Sequence, residues 1–196
     1  METIQLIGEA VLLRPMTKKD VEGIHTYCQD ERIWAHMSQN LQTREDVQAY
    51  VEQALVNREA GTEYPFVIVL RATNEIVGST RFFDIDTAHK RLELGHTWLH
   101  PSVWRTNVNT ECKYLLLSYC FEQLQFQRVQ IKTGHKNTQS QKAIERIGAT
   151  KEGILRNHMI RPNGEVRHTV MYSVVQEEWS EVKRHIEGLM RKFSTL

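Results

Sequence analysis

The sequence predicts an α+β domain with a central mixed sheet, mostly antiparallel, flanked by helices. Three observations carry this. The apolar period switches repeatedly between the helical and strand spacings. The strand-like runs after Pro65 are joined by very short polar turns, as in an antiparallel meander. From Arg91 onward one strand empties through a polar turn into a long apolar helix and then a further strand, a βαβ unit whose two strands must run parallel. The predicted order is βααβββαβαββα, with no repeat, no low-complexity tract and no linker that divides the chain. A single domain over residues 1–196 is expected.

Glu9 to Arg14 reads as a short strand closed by Pro15. Thr17-Lys-Lys-Asp20 has capping-box spacing and opens a helix with Val21, Ile24, Tyr27 and Cys28 on one stripe. Asp30 to Leu41 is irregular and carries Ile33, Trp34 and Met37. Thr43-Arg-Glu-Asp46 repeats the cap signal, and the helix it starts (Val47, Tyr50, Val51, Ala54, Leu55) stops at Gly61. Phe66 to Leu70 is a continuous β-branched and apolar run, the pattern of a strand covered on both faces. Ile76 to Asp84 follows a Thr73-Asn74 turn, and Asp86 to Lys90 turns the chain into the next strand.

That strand alternates, with Leu92, Leu94, His96 and Trp98 expected on one side and Glu93, Gly95, Thr97 and Leu99 on the other. The helix behind it, Val108 to Leu124, is apolar nearly all round and so central and buried. Arg128 to Thr133 is a strand, and Asn137 to Gly148 a short helix with Ser140, Ile144 and Ile147 on its stripe. Thr150–Ile160 and Glu165–Val175 form a hairpin around Pro162-Asn163-Gly164. A last helix, 176–192, packs Trp179, Val182, Ile186 and Leu189.

A net charge of +1 lacks the basic excess that non-specific nucleic-acid binding needs, so no nucleic-acid partner is expected. No apolar run is long enough to span a membrane, and Met1-Glu-Thr-Ile carries no leader pattern, so the expectation is a cytoplasmic protein with no membrane partner. Cys28, Cys112 and Cys120 fall in helical segments and read as small buried thiols. The histidines show neither HExxH nor zinc spacing, so no metal is expected.

The junction from Arg91 to Thr110 draws the chemistry together. A strand, a tight turn and a helix N-terminus present free amides and the positive end of a dipole to an anion, which suits a phosphate-bearing cofactor.

Several stretches in order then resemble one family: Leu92-Glu-Leu-Gly95 with Trp98-Leu-His-Pro101, Trp104, Asn109-Thr-Glu111, Asn137 with Ser140, Ile147-Gly-Ala149, Glu152-Gly153 with Leu155-Arg156, Tyr172-Ser173 and Glu178-Trp179. From about Ile7 to Trp179 the chain is similar to the GNAT acyl-CoA N-acyltransferases, in particular their RimJ/RimL-like branch. The resemblance implies the GNAT fold and transfer of an acetyl group from acetyl-CoA to a primary amine, a protein N-terminus or a small molecule.

It also implies a pyrophosphate site on the amides of Arg105, Thr106, Asn107, Val108, Asn109 and Thr110. The family's glycines are missing from this loop; Asn tolerates positive φ, and Arg105 adds a charge. The oxyanion would be held by amides near Trp98 and Leu99. Glu93 is the candidate for removing the amine proton, with His96 and His135 as alternatives; its ordinary reading is a strand carboxylate facing solvent or an arginine. Ser140 would hydrogen-bond the leaving sulfur and Asn137 the pantetheine arm, although both also suit a plain helix start. The acceptor pocket would be lined by Trp34, Met37, Arg156 and His158, with His168 where relatives often carry an acid; Trp34 could equally be a core aromatic. The C-terminal helix and hairpin offer apolar surface for a homodimer. The competing function is a non-catalytic acyl-CoA-binding module on the same fold.

Overall fold

In a computed structural model of the chain, which describes residues 3–37, 39–161 and 163–192, the sheet begins with two short strands, β1 (Leu6–Ile7) and β2 (Val11–Pro15). The first of these escapes sequence reading because two residues carry no period. A 3-10 turn over Lys18–Asp20 leads into α1 (Val21–Tyr27). Here Asp20 receives the Thr17 amide at 2.7 Å and the Arg14 guanidinium at 2.6 Å, so the carboxylate caps the turn and ties it to β2. The segment expected to be irregular contains a short helix, α2 (Glu31–Trp34), begun by Asp30, whose side chain accepts the Arg32 amide at 3.0 Å. The capping box at Thr43 is complete in both directions and opens α3 (Arg44–Glu59), which ends before Gly61 at φ +73.

Strands β3 (Glu63–Leu70), β4 (Ile76–Asp86) and β5 (Arg91–Leu99) form the antiparallel meander. Both faces of β3 are covered. Phe66 and Ile68 join a large core, and Val67 and Val69 a second core beneath α1 and α3. The alternation expected for β5 holds only as far as Gly95. His96 sits at φ +49 and the register to β4 shifts there, which makes a β-bulge. The extra residue flips the pleat: Leu92, Leu94 and Leu99 share the large core, whereas Trp98 turns into the second core against Trp34. The expected grouping of Trp98 with Leu92 and Leu94 is therefore corrected.

Helix α4 (Val108–Ser118) is buried as expected and finishes in a π-helical turn over Tyr119–Gln123. Strands β6 (Arg128–Gly134), β7 (Thr150–Ile160) and β8 (Val166–Val175) complete an eight-stranded sheet in the order β1-β2-β3-β4-β5-β6-β8-β7. Helix α5 (Thr138–Arg146) links β6 to β7, and α6 (Trp179–Arg191) closes the described chain. Gly148 takes φ +88 after α5. At the β7–β8 turn Gly164 takes φ +81, and Pro162 lies outside the described residues. Helix α6 spends its apolar stripe internally, burying Trp179, Val182 and Ile186, while the hairpin leaves Ile154, Leu155, Ile160 and Val166 exposed. The parallel pair is β5 with β6, and it is short. Pairing covers only Arg91–Arg128, Leu92–Val129 and Glu93–Gln130 before the two strands splay apart.

Helix α4 also carries Lys113, 6% exposed, whose ammonium donates to Thr97 Oγ1 at 3.1 Å and, among the described residues, to no carboxylate. Burial pushes its pKa down to about 8. Between about 8 and the ordinary lysine value of 10.5 the unfolded chain holds a proton that the fold has released, so stability rises with pH across that window. Below it the buried charge is a net cost. Lys113→Met is expected to stabilise the protein by about 2 kcal/mol at pH 7, roughly 5 °C in Tm, with the gain shrinking toward pH 10. Thermal denaturation at the two pH values checks this; an unchanged Tm at pH 7 would show that the charge is solvated.

Candidate active site

The loop before α4 turns through one left-handed residue, and it is not an asparagine. Positive φ falls on Arg105 (+62), while Asn107 is right-handed at φ −72 and serves as N-cap. The Trp104 indole fastens the loop to the Leu99 carbonyl at 2.8 Å. Thr106 Oγ1 donates to the Val103 carbonyl at 2.7 Å and faces the Val108 amide at 3.3 Å. Among the described residues nothing accepts from the amides of Arg105, Thr106, Asn107, Asn109 or Thr110. These amides sit at the positive end of the α4 dipole. Arg146, from the last turn of α5, reaches the same end and donates to Thr110 Oγ1 at 2.7 Å.

Glu93 stands where β5 and β6 part. It is on the face opposite Leu92 and Leu94, as alternation requires, but it neither meets solvent nor pairs with arginine. At 2% exposure it accepts from Lys132 Nζ at 2.9 Å and Gln130 Nε2 at 3.0 Å, both on β6. Its other oxygen, Oε1, is buried and unpartnered. Burial pushes the Glu93 carboxyl above its usual range, with Lys132 and Gln130 pulling the other way. A carboxylate so placed has one oxygen held and one free to take a proton. His96, on the bulge, is a poorer base: burial and the Arg81 guanidinium drive it down to about 4. His135 spends Nδ1 against the His168 carbonyl at 3.2 Å, its ring 4.6 Å from that of His168.

Asn137 caps α5, its side-chain oxygen accepting the Ser140 amide at 3.0 Å. Ser140 is half-buried on the stripe of Ile144 and Ile147, and its hydroxyl is unclaimed among the described residues. The four residues expected to line an acceptor pocket fall into two pairs, Trp34 and Met37 in and just after α2 and Arg156 and His158 on β7. Arg161, just after β7, reaches the His36 carbonyl at 3.5 Å. Trp34 is 6% exposed, its indole donating to the Cys28 carbonyl at 2.8 Å and its ring 5.8 Å from Trp98, so it serves the second core. Met37 packs on the edge of the same core. Arg156 and His158 lie on exposed β7, where Asn157 at φ +51 bulges the strand and an open depression of about 850 Å³ also borders His168.

Other polar groups gather around the splay. Arg81, 3% exposed, pairs with Glu63 at 2.7 Å and stacks over Tyr50, leaving Nε and Nη2 unpartnered. Trp98 Nε1 and Arg167 Nε are also buried without partners. Arg81, Gln130, Lys132 and Arg167 escape sequence reading because each is an ordinary strand residue until the register places it. Among the described residues no group of three His, Cys, Asp or Glu could hold a metal ion. The three thiols are buried, with Cys112 pushed up to about 12 by burial.

Comparison with known proteins matches residues 10–150 to the acetyltransferase (GNAT) domain. The uncharacterized N-acetyltransferase p20 of Bacillus licheniformis is 27% identical over 185 residues, covering 92% of this chain and 99% of that protein. A crystal structure ascribed to an acetyltransferase of T. thermophilus superposes with a TM-score of 0.86 at 31% identity, over 97% of this chain and 100% of that one. RimL, the ribosomal L7/L12 alpha-N-protein acetyltransferase, shares the fold with a TM-score of 0.79 at 18% identity, over 89% of this chain and 96% of its own.

Proposed function

The chain belongs to the GNAT acetyltransferase family, and on that premise we propose that it transfers an acetyl group from acetyl-CoA directly to a primary amine, with Glu93 taking the amine proton. The observation that carries this reading is the alignment of five unclaimed amides at the α4 N-terminus with a splay that has a buried carboxylate at its apex.

In this reading the pyrophosphate lies on the amides of Arg105 to Thr110, with the Arg105 and Arg146 guanidinium groups supplying charge. The pantetheine arm enters between β5 and β6, where unpaired strand edges can bond its amides. The amine loses its proton to Glu93 Oε1, directly or through a water, and its nitrogen attacks the thioester carbon. The carbonyl π electrons move onto oxygen, and strand amides near Trp98 and Leu99 hold the oxyanion. Collapse re-forms the carbonyl and breaks the C–S bond. The sulfur leaves as a thiolate, with the Ser140 hydroxyl as hydrogen-bond donor, and takes up a proton to give free CoA. Asn137 contributes by fixing the start of α5, because its side-chain oxygen is engaged as a cap.

A second reading, an acyl-CoA-binding module without turnover, draws on Lys132 and Gln130, which already occupy one oxygen of Glu93. Calorimetry with acetyl-CoA followed by a thiol-release assay over a broad panel of amines separates the two. Micromolar binding with turnover of at least one amine class is expected. Binding without turnover would establish the second reading, and no binding would sink both.

A further inference from the structure

We propose that Arg167 and Arg161 form a binding site for the anionic group of the acceptor, so that the acceptor is an amine that also carries a carboxylate or phosphate. This rests on the acetyl-transfer reading and adds the substrate class to it.

Arg167 lies near the start of β8, half-buried, and neither an ion pair nor a hydrogen bond to its side chain exists among the described residues. Its Nε is fully buried and unpartnered. It packs over Gly134, the last residue of β6. A Cβ there would lie 3.2 Å from Arg167 Nε and 3.7 Å from Arg161 Nη2, so both guanidinium groups converge on one point above that glycine. Two adjacent guanidinium groups repel, and burying one with an unsatisfied donor is costly unless an anion arrives.

Among the described residues no carboxylate pairs with Arg167, and Arg161 has only a long pair. Arg161 reaches Glu165 only at 3.8 Å and the His36 carbonyl at 3.5 Å, while Glu165 is held by Lys136 at 2.6 Å. Glu93 is held by Lys132. Four cations, Lys132, Lys136, Arg161 and Arg167, therefore share two carboxylates, Glu93 and Glu165. Burial and the charge of Arg161 together push Arg167 below the usual arginine range, while Glu93 opposes them.

The position ties the pair to the reaction. Gly134 follows Lys132 by two residues on β6, so both point to the face that carries Glu93, one pleat, about 7 Å, apart. Gly134 also has no side chain to stand between the guanidinium groups and the open end of the splay. An acceptor with its amine at Glu93 and its anion at Arg167 spans that pleat. Paired guanidinium donors suit the two oxygens of a carboxylate or the three of a phosphate equally.

The test uses matched probes, O-phosphoethanolamine against ethanolamine and β-alanine against β-alaninamide, on the full chain. The anionic member of at least one pair should have the lower KM. Arg167→Met should raise that KM tenfold or more, Arg161→Met less, and neither should alter KM for the neutral partner. Equal effects on both members, or a preference for the neutral ones, would overturn the proposal. An activity-free reading comes from the Arg167 Nε–H resonance in ¹⁵N-labelled wild-type protein. It should shift on titration with O-phosphoethanolamine or β-alanine and stay fixed with the neutral partners. If it moves while no amine is acetylated, the anion site stands and the transferase reading fails. If it does not move while other amines are acetylated, the transferase reading stands and the anion site is wrong.

Discussion

Glu93→Gln is expected to lower kcat/KM by about 10²- to 10⁴-fold, the usual worth of a positioned general base, while the Kd for acetyl-CoA changes by less than about twofold. The proposed phosphate site lies at the α4 N-terminus, on amides that a substitution in β5 does not touch. The pH profile carries the sharper test. Only the ionised carboxylate accepts a proton, and burial holds Glu93 above its usual range, so wild-type activity should fall on the acid side at a higher pH than an ordinary glutamate would give. In the glutamine variant that acid limb should vanish, leaving a low, flatter profile. Gln keeps the shape and an acceptor for Lys132, so misfolding is a poor explanation of a loss. Wild-type rates from Glu93→Gln at every pH would remove Glu93 from the proton transfer.

How far the sequence reaches is clear at individual residues. The capping box at Thr43 and the doubly covered run at Phe66 depend on local patterns, and both occur where expected. The short parallel pairing of β5 with β6 follows from the crossover through α4. The bulge at His96 was not legible. Gly95 precedes it, but the positive φ falls on His96 itself, and a one-residue slip reverses every side chain beyond it, so Trp98 changed cores. The loop before α4 was half legible: a polar turn before a buried helix indicated free amides, but positive φ fell on Arg105, which local propensity disfavours. Such strain of about 1–2 kcal/mol is tolerated where surrounding structure imposes it. The Lys132–Glu93 pair joins two strands, and the approach of Arg161 and Arg167 over Gly134 joins the β7–β8 hairpin to β6. Without register, each reads as a solvated charge.

The second large effect concerns the other end of that register. Glu111, in the first turn of α4 and 6% exposed, reaches back to the start of the chain. Its carboxylate accepts the Ala10 and Val11 amides at 3.0 and 3.1 Å and also the Glu9 amide. Gly8 must lack a side chain because a Cβ would collide with that carboxylate. Glu111→Ala would strand three backbone donors at once. At about 1–3 kcal/mol per stranded donor, tempered by entry of water at the half-buried ones, a loss of about 3–5 kcal/mol is expected. For a domain of this size that is a fall of roughly 10 °C in Tm. Glu111→Gln should cost about half as much, since one oxygen still accepts while its NH₂ faces a donor. Denaturation of the three proteins checks the order, and a wild-type Tm for the alanine variant would mean that water replaces the carboxylate freely. The same experiment bears on function. Glu111 anchors the helix whose N-terminus is proposed to hold the pyrophosphate, and a ligand bound only to the folded state raises Tm by mass action. Acetyl-CoA at saturating concentration should therefore recover part of the lost Tm, which a phosphate site elsewhere on the surface would also do. Only a site on α4 would in addition show weaker acetyl-CoA binding in the alanine variant at temperatures where it remains folded.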